Sequence, residues 1–136
     1  MQCRLNSVTK VLVHTEVGHE AALFRIRLVT LSHVLSALSE IQQRYGDAMS
    51  SPSLATLEQV LADPVARTVL ESCRSLRNVS MHYGVDPSWA GLDLQLPMAG
   101  LVETLVPGSS LSQLSEDLRN LTARVSAVFN AWVANV

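Results

Sequence analysis

The sequence has few charged residues for its length. Only 16% of its 136 residues are charged, whereas 48% are hydrophobic, and soluble domains usually carry about 25% charged residues. This hydrophobic fraction excludes intrinsic disorder. So few charges cannot cover every face of a monomer, and we expect some apolar surface to contact a partner. The length allows one core, and we predict a single domain over residues 1–136.

Long uninterrupted apolar runs are also missing. The longest charge-free runs have twelve residues each, at Leu28–Ser39, Thr104–Ser115 and Val125–Val136. A membrane-spanning helix needs about 17 residues or more. The apolar run Val11–Val13 is too short for a signal peptide. We therefore expect no membrane span and a cytoplasmic location.

Cysteine, aromatic residues and lysine are scarce. Cys3 and Cys73 cannot form a disulfide framework, and Cys73 lies in an apolar helix stripe that predicts a buried reduced thiol. The two Phe, two Tyr and two Trp are too few for base-stacking platforms. A net charge of −2 creates no field that recruits nucleic acid or acidic lipid. Nine of the ten basic residues are Arg, so any phosphate site would consist of individually placed arginines.

What the sequence does have is helical periodicity. Apolar residues recur at spacings of four and three along the first long segment, at Phe24, Leu28, Leu31, Leu35 and Leu38, and Tyr45 continues the register. This stripe predicts a helix that starts between Thr15 and Gly18 and ends at Gly46 as a left-handed cap. Residues 1–14 are predicted to form an N-terminal arm or a short helix.

Two helices are predicted in the middle of the chain. After a break at Ser50–Ser53, a short helix carries Leu54, Leu57, Val60 and Leu61. Asp63-Pro64 is an N-cap followed by proline at the first helical position, which predicts the start of a third helix. That helix would bury Val69, Cys73, Leu76 and Tyr83 and end at Gly84. A long loop over 84–97 would follow, with an extended piece at Leu92–Leu96.

The C-terminal part predicts one short and one long element. Met98–Val106 is expected to be a short helix or continued loop, closed by Pro107-Gly108. Ser110 and Gln113 form a potential capping box for the last helix. Its apolar stripe is Leu111, Leu114, Leu118, Leu121, Val125, Val128 and Trp132. The predicted fold is an all-α bundle of three long or medium helices plus one or two short ones.

Several kinds of functional site are missing from the sequence. There is no glycine-rich phosphate loop, no nucleophile elbow and no paired-cysteine zinc pattern. Glu16 and His19 form one Glu-x-x-His pair, but di-iron bundles need a second pair and two more glutamates. We therefore expect no metal site and no cofactor. His14 and His33 are interpreted as ordinary surface residues.

The segment Leu76–Gly84 at the end of the third helix is the strongest functional signal. Arg74, Asn78 and His82 are spaced i, i+4 and i+8, which predicts a polar ridge opposite the apolar stripe. Arg77 and His82 lie about 140° apart on an ideal helix. They could therefore meet at one substrate only through a loosened last turn or a second chain. Three arginines against one glutamate give Val65–Gly84 a charge of +2, within a chain of −2.

The arrangement Arg77-Asn78-x-x-x-His82 near a helix end in a small all-α chain resembles the HEPN domain family. The resemblance implies a metal-independent endoribonuclease of a toxin–antitoxin or antiphage (antiviral) defence type. It also implies a homodimer with a shared cleft, an RNA substrate and a possible antitoxin or other protein partner. Arg77, Asn78 and His82 would be catalytic, and Arg74 and Tyr83 would bind RNA.

The residue types suit this chemistry. RNA cleavage through its own 2′-hydroxyl needs a base, an acid and a cation near the phosphorane. His82 can act as base or acid because an unperturbed histidine has a pKa near neutrality. Arg77 offers a planar set of donors for phosphate oxygens. Asn78 could orient the histidine ring or bind a phosphate oxygen.

Two other functions remain open. Arg77 could pair with Asp86 or Asp93, while Asn78 helps to cap the helix and His82 binds a loop carbonyl. The protein would then be a non-catalytic, HEPN-like interaction module that binds RNA or a partner protein. A third possibility is a bundle that binds a small ligand, and the long loop is the only feature of the sequence that supports it.

Overall fold

The structure is a computed structural model that describes residues 20–82 and 97–134. These residues form six α-helices and no strand, which confirms the predicted all-α bundle. The helices are α1 (Glu20–Tyr45), α2 (Ser51–Leu61), α3 (Pro64–Arg67), α4 (Arg74–His82), α5 (Pro97–Leu105) and α6 (Leu111–Ala134). The predicted N-terminal arm, the start of the first helix and most of the long loop lie outside the described residues, as do Cys3, His14 and Gly84.

The core forms around one face of α1. The stripe predicted from the sequence is fully buried, at Phe24, Leu28, Leu31, Leu35 and Leu38. Helices α2, α4 and α6 all contact α1. Ser32 is also buried there, and its hydroxyl donates to the carbonyl of Leu28 at 2.8 Å. His33 lies on the outer face and is exposed, as predicted.

The end of α1 differs from the prediction in two ways. Tyr45 continues the sequence register, but its side chain is 60% exposed and lies outside the core. Gly46 does not adopt a left-handed conformation; it begins a turn of 3₁₀ helix at Gly46–Ala48. The tighter turn gives a backbone carbonyl at the end of the helix a hydrogen-bond partner, because the Met49 amide donates to the Gly46 carbonyl at 3.2 Å.

Helix α1 bears on the argument from short charge-free runs. Arg25 and Arg27 interrupt the apolar sequence, yet an 18-residue window within Glu20–Ala48 keeps a mean hydropathy of 1.4. By length and composition α1 is therefore apolar enough to cross a membrane. A core helix of a soluble protein and a signal sequence pass the same test.

Asp63 joins the second and third predicted helices, as the sequence indicated. Its Oδ1 accepts a hydrogen bond from the Val65 amide at 2.8 Å, and Pro64 occupies the first turn of α3. Helix α2 begins at Ser51, so the predicted break at Ser50–Ser53 is shorter than expected.

The third predicted helix is divided into three parts. Helix α3 is followed by a π-helical turn at Thr68–Ser72, in which the Cys73 amide donates to the Thr68 carbonyl at 2.9 Å. Helix α4 then continues to His82. Val69, Cys73 and Leu76 are buried as predicted, whereas Tyr83 lies outside the described residues.

The C-terminal elements follow the predicted order. Helix α5 resolves the choice at Met98–Val106 in favour of a helix, and Gly108 after it has a φ of 84°, the left-handed conformation that glycine permits. Only half of the capping box forms. The Gln113 amide donates to Ser110 Oγ at 3.2 Å, while the Gln113 side chain binds Asp117 instead.

The predicted stripe of α6 is confirmed over most of its length. It buries Leu114, Leu118, Leu121, Val125 and Val128. The two ends of the stripe, Leu111 and Trp132, are half-buried.

Substitution in the α1 stripe tests the described core. Leu35→Ala removes a fully buried side chain, and we expect it to lower the free energy of unfolding by about 2–5 kcal/mol. Ile26→Ala on the same helix alters a side chain that is 41% exposed, so its cost should stay within about 0.5 kcal/mol. Urea denaturation measures both. Equal losses from the two variants would contradict the burial described here.

The cap at Asp63 can be tested separately from its charge. Asp63→Ala removes the acceptor of the Val65 amide and should cost about 1 kcal/mol of unfolding free energy. Asp63→Asn keeps an acceptor oxygen and should recover most of that loss, because the ion pair that it breaks is partly exposed. If the asparagine variant unfolds as readily as the alanine variant in urea, capping is not the role of Asp63.

Candidate functional site

Helix α4 carries the residues predicted to be functional. It packs against α1 and α5, and its inner side buries Leu76 and Ser80. The Ser80 hydroxyl donates to the Leu76 carbonyl at 2.7 Å, so this polar group is satisfied inside the helix. Because the apolar positions face the core, the polar positions of α4 face outward.

Arg77 and Asn78 form a hydrogen-bonded pair. Nε and Nη2 of Arg77 donate to Asn78 Oδ1 at 3.3 and 3.0 Å. Arg77 is half-buried and Asn78 is exposed. A guanidinium has five N–H donors, and Asn78 occupies two of its nitrogens. The asparagine therefore orients Arg77 and leaves other donors for an anion.

No carboxylate pairs with Arg77 within residues 20–82 and 97–134. The alternative partners Asp86 and Asp93 lie outside these ranges. Asn78 uses its side-chain oxygen as an acceptor from Arg77, which is a role that the sequence did not indicate.

The predicted polar ridge is described in part. Arg74 and Asn78 are both exposed, one turn apart on α4. His82 is the last residue of α4, and its side chain lies outside the described residues, as does Tyr83. The structure thus brings together Arg77, Asn78 and Arg74, while the meeting of Arg77 with His82 stays a prediction.

The π-helical turn before α4 had no signal in the sequence. The apolar spacing of Thr68–Ser72 predicts an ordinary α-helix. Its backbone instead forms an i to i−5 hydrogen bond, from the Cys73 amide to the Thr68 carbonyl. The α-helical pattern resumes when the Arg77 amide donates to the Cys73 carbonyl at 2.8 Å. Single π turns of this kind occur often at functional sites. This one ends two residues before α4, the helix that carries the predicted site residues Arg77 and Asn78.

The remaining candidates for chemistry are Cys73 and the side chains that could bind a metal ion. Burial raises the pKa of the Cys73 thiol from 9.0 to about 11, which disfavours the reactive thiolate. The described residues contain no group of three His, Cys, Asp or Glu side chains that could hold a metal ion. Glu16 and His19 lie outside them.

Comparison with known proteins identifies no relative. Neither a family model, nor a curated protein sequence, nor a solved structure matches the chain. The HEPN resemblance therefore rests on Arg77, Asn78 and His82 alone, and it stays a prediction.

The Cys73 pKa predicts both low reactivity and a pH effect. In a Cys3→Ser background, Cys73 should resist a thiol reagent at pH 8 in the folded protein and react readily in denaturant. Because its pKa is higher in the folded state, its contribution to stability is complete below about pH 9 and is lost as the pH rises through about 11.

Absorbance of the released thiol reagent measures the first effect. Urea denaturation at pH 8 and pH 10, compared with Cys73→Ala, measures the second. Labelling of the folded protein at the rate of an exposed thiol would show that Cys73 is not enclosed.

Proposed function

We propose that this protein is a metal-independent endoribonuclease of the HEPN type, and that it acts as a homodimer. The observation that carries the proposal is Arg77, which is oriented by Asn78 on the outer side of α4 and has no carboxylate partner among the described residues. An arginine held in this way can bind a phosphate oxygen without first breaking an ion pair.

The reaction requires two proton transfers. His82 takes the proton of the ribose 2′-hydroxyl, whose oxygen attacks the adjacent phosphorus. The 5′-oxygen of the next nucleotide leaves with a proton from an acid, and a 2′,3′-cyclic phosphate remains. Arg77 stabilises the charge on the phosphorane. One histidine cannot act as base and acid at once, so a second copy of the chain would supply the acid.

The arginines of α4 also explain how a weakly charged protein could bind RNA. Arg74 is exposed one turn before Asn78, and it could contact a neighbouring phosphate. With a net charge of −2, affinity would come from these few placed contacts. We therefore expect a shallow dependence on salt.

RNA cleavage in the presence of EDTA tests the proposal. The wild-type protein should cleave single-stranded RNA and leave 2′,3′-cyclic phosphate ends. His82→Ala and Arg77→Ala should each lower the rate about 100-fold or more. Asn78→Ala should have a smaller effect, because it only orients Arg77.

Arg67→Ala is the matched control, since Arg67 is an exposed arginine of α3 that precedes the π-helical turn. Its cleavage rate should equal that of the wild type. RNA with 2′-deoxy nucleotides should not be cleaved, because the attacking hydroxyl is missing. Absence of cleavage by the wild-type protein, or cleavage that survives His82→Ala, would refute the proposed ribonuclease activity.

A second candidate function is a non-catalytic interaction module. The observation that favours it is an exposed apolar pair on α1, where Ile26 is 41% exposed and Ala22, one turn earlier, is also exposed. On α4, Met81 is exposed to a similar extent, 42%, and the other residues described there as exposed are polar. Ile26 and Met81 are therefore candidate contacts for a partner.

Both functions predict an oligomer, so light scattering and pull-down experiments separate them only together with the cleavage assay above. An interaction module should form an oligomer or a partner complex that Ile26→Asp disrupts and Arg77→Ala leaves intact. A monodisperse monomer that captures no partner would count against the module.

A further inference from the structure

A groove between α2 and α6 has the features of a small-molecule site. Its volume is about 280 Å³, just under the about 300–1,000 Å³ of typical ligand pockets. The α2 side contributes Thr56, Gln59 and Val60, and Asp63 follows on the same face at i+7 from Thr56. The groove thus runs along two turns of helix.

The chemistry of the groove changes along its length. Val60 on α2 and Ala127 and Val128 on α6 provide an apolar wall. Asp63 and Arg124 provide charge, and Arg124 lies one turn before Val128. A ligand with one anionic end and one apolar end would match this division.

Arg124 is held in place by a carboxylate that is itself fixed. Arg124 Nη2 lies 2.8 Å from Asp63 Oδ2, while Asp63 Oδ1 accepts the Val65 amide at the start of α3. The Asp63 side chain is only 17% exposed, whereas that of Arg124 is 49% exposed. The guanidinium is therefore oriented from one edge and open to solvent at the others. A guanidinium has five N–H donors, and this exposure leaves part of it accessible to a ligand.

The charge of the groove selects the type of anion. Asp63 neutralises Arg124, and no other ionisable residue lines the groove. A dianion such as a phosphate monoester would place two negative charges beside the Asp63 carboxylate, about twice the repulsion that a monocarboxylate meets there. A monocarboxylate can form two parallel hydrogen bonds with the open edge of the guanidinium.

We propose that this groove binds a small monocarboxylic acid with an apolar body. The carboxylate contacts Arg124, and the apolar body lies against Val60, Ala127 and Val128. The proposal uses none of the residues assigned to RNA cleavage, so either can fail without the other.

Titration of the full-length protein with benzoate, followed by amide NMR shifts, tests this site. Benzoate has nine non-hydrogen atoms, and a ligand of that size should bind with a dissociation constant of about 1 mM. The shifts should be confined to α2, α3 and α6. Benzamide, which has the same shape without the charge, should bind about tenfold more weakly.

Two variants and one control decide the assignment. Arg124→Gln should weaken benzoate about tenfold or more, whereas Arg119→Gln, an exposed arginine of the same helix paired with Glu116, should leave binding unchanged. Ala127→Leu fills the groove from an exposed position and should abolish binding even if Arg124→Gln fails to fold. No saturable binding up to about 50 mM, equal affinities for benzoate and benzamide, or unchanged binding by Ala127→Leu would overturn the proposal.

Discussion

Burial of one face of α1 is the constraint on which the described structure depends. Phe24, Leu28, Leu35 and the rest of that stripe are enclosed by α2, α4 and α6. Burial of apolar surface contributes roughly 25 cal/mol per Å², and these side chains are among the largest fully buried ones. Helices as short as α2 to α5 are marginal by themselves in water. Their stability therefore comes from contact with α1 and α6.

The same constraint positions the candidate sites. Since Cys73 and Leu76 must face the core, Arg74 and Asn78 face outward. Elsewhere on the bundle, Asp63 caps α3 and pairs with Arg124 of α6, which ties the α2–α3 junction to the last helix. The two proposed sites thus occupy separate surfaces of one core.

Much of the candidate site on α4 could be predicted from the sequence. Arg77, Asn78 and His82 stand out by their spacing, and the polar ridge at Arg74 and Asn78 follows from helical geometry. The bond between Arg77 and Asn78 could not be predicted, because neighbouring side chains on a helix point about 100° apart and meet only in particular rotamers. The π-helical turn was equally hidden, since its residues have ordinary helical spacing.

By itself the sequence determined the helices α1, α2 and α6 with their buried faces, and that Asp63-Pro64 begins a helix. These are local properties, set by a 3.6-residue period and by a side chain that caps its own backbone. Only the tertiary structure decided that Tyr45 leaves the core, that Gly46 forms a 3₁₀ turn, and that Asp63 pairs with Arg124. The pair of Asp63 and Arg124 joins residues far apart in the chain, and no local pattern encodes such a contact.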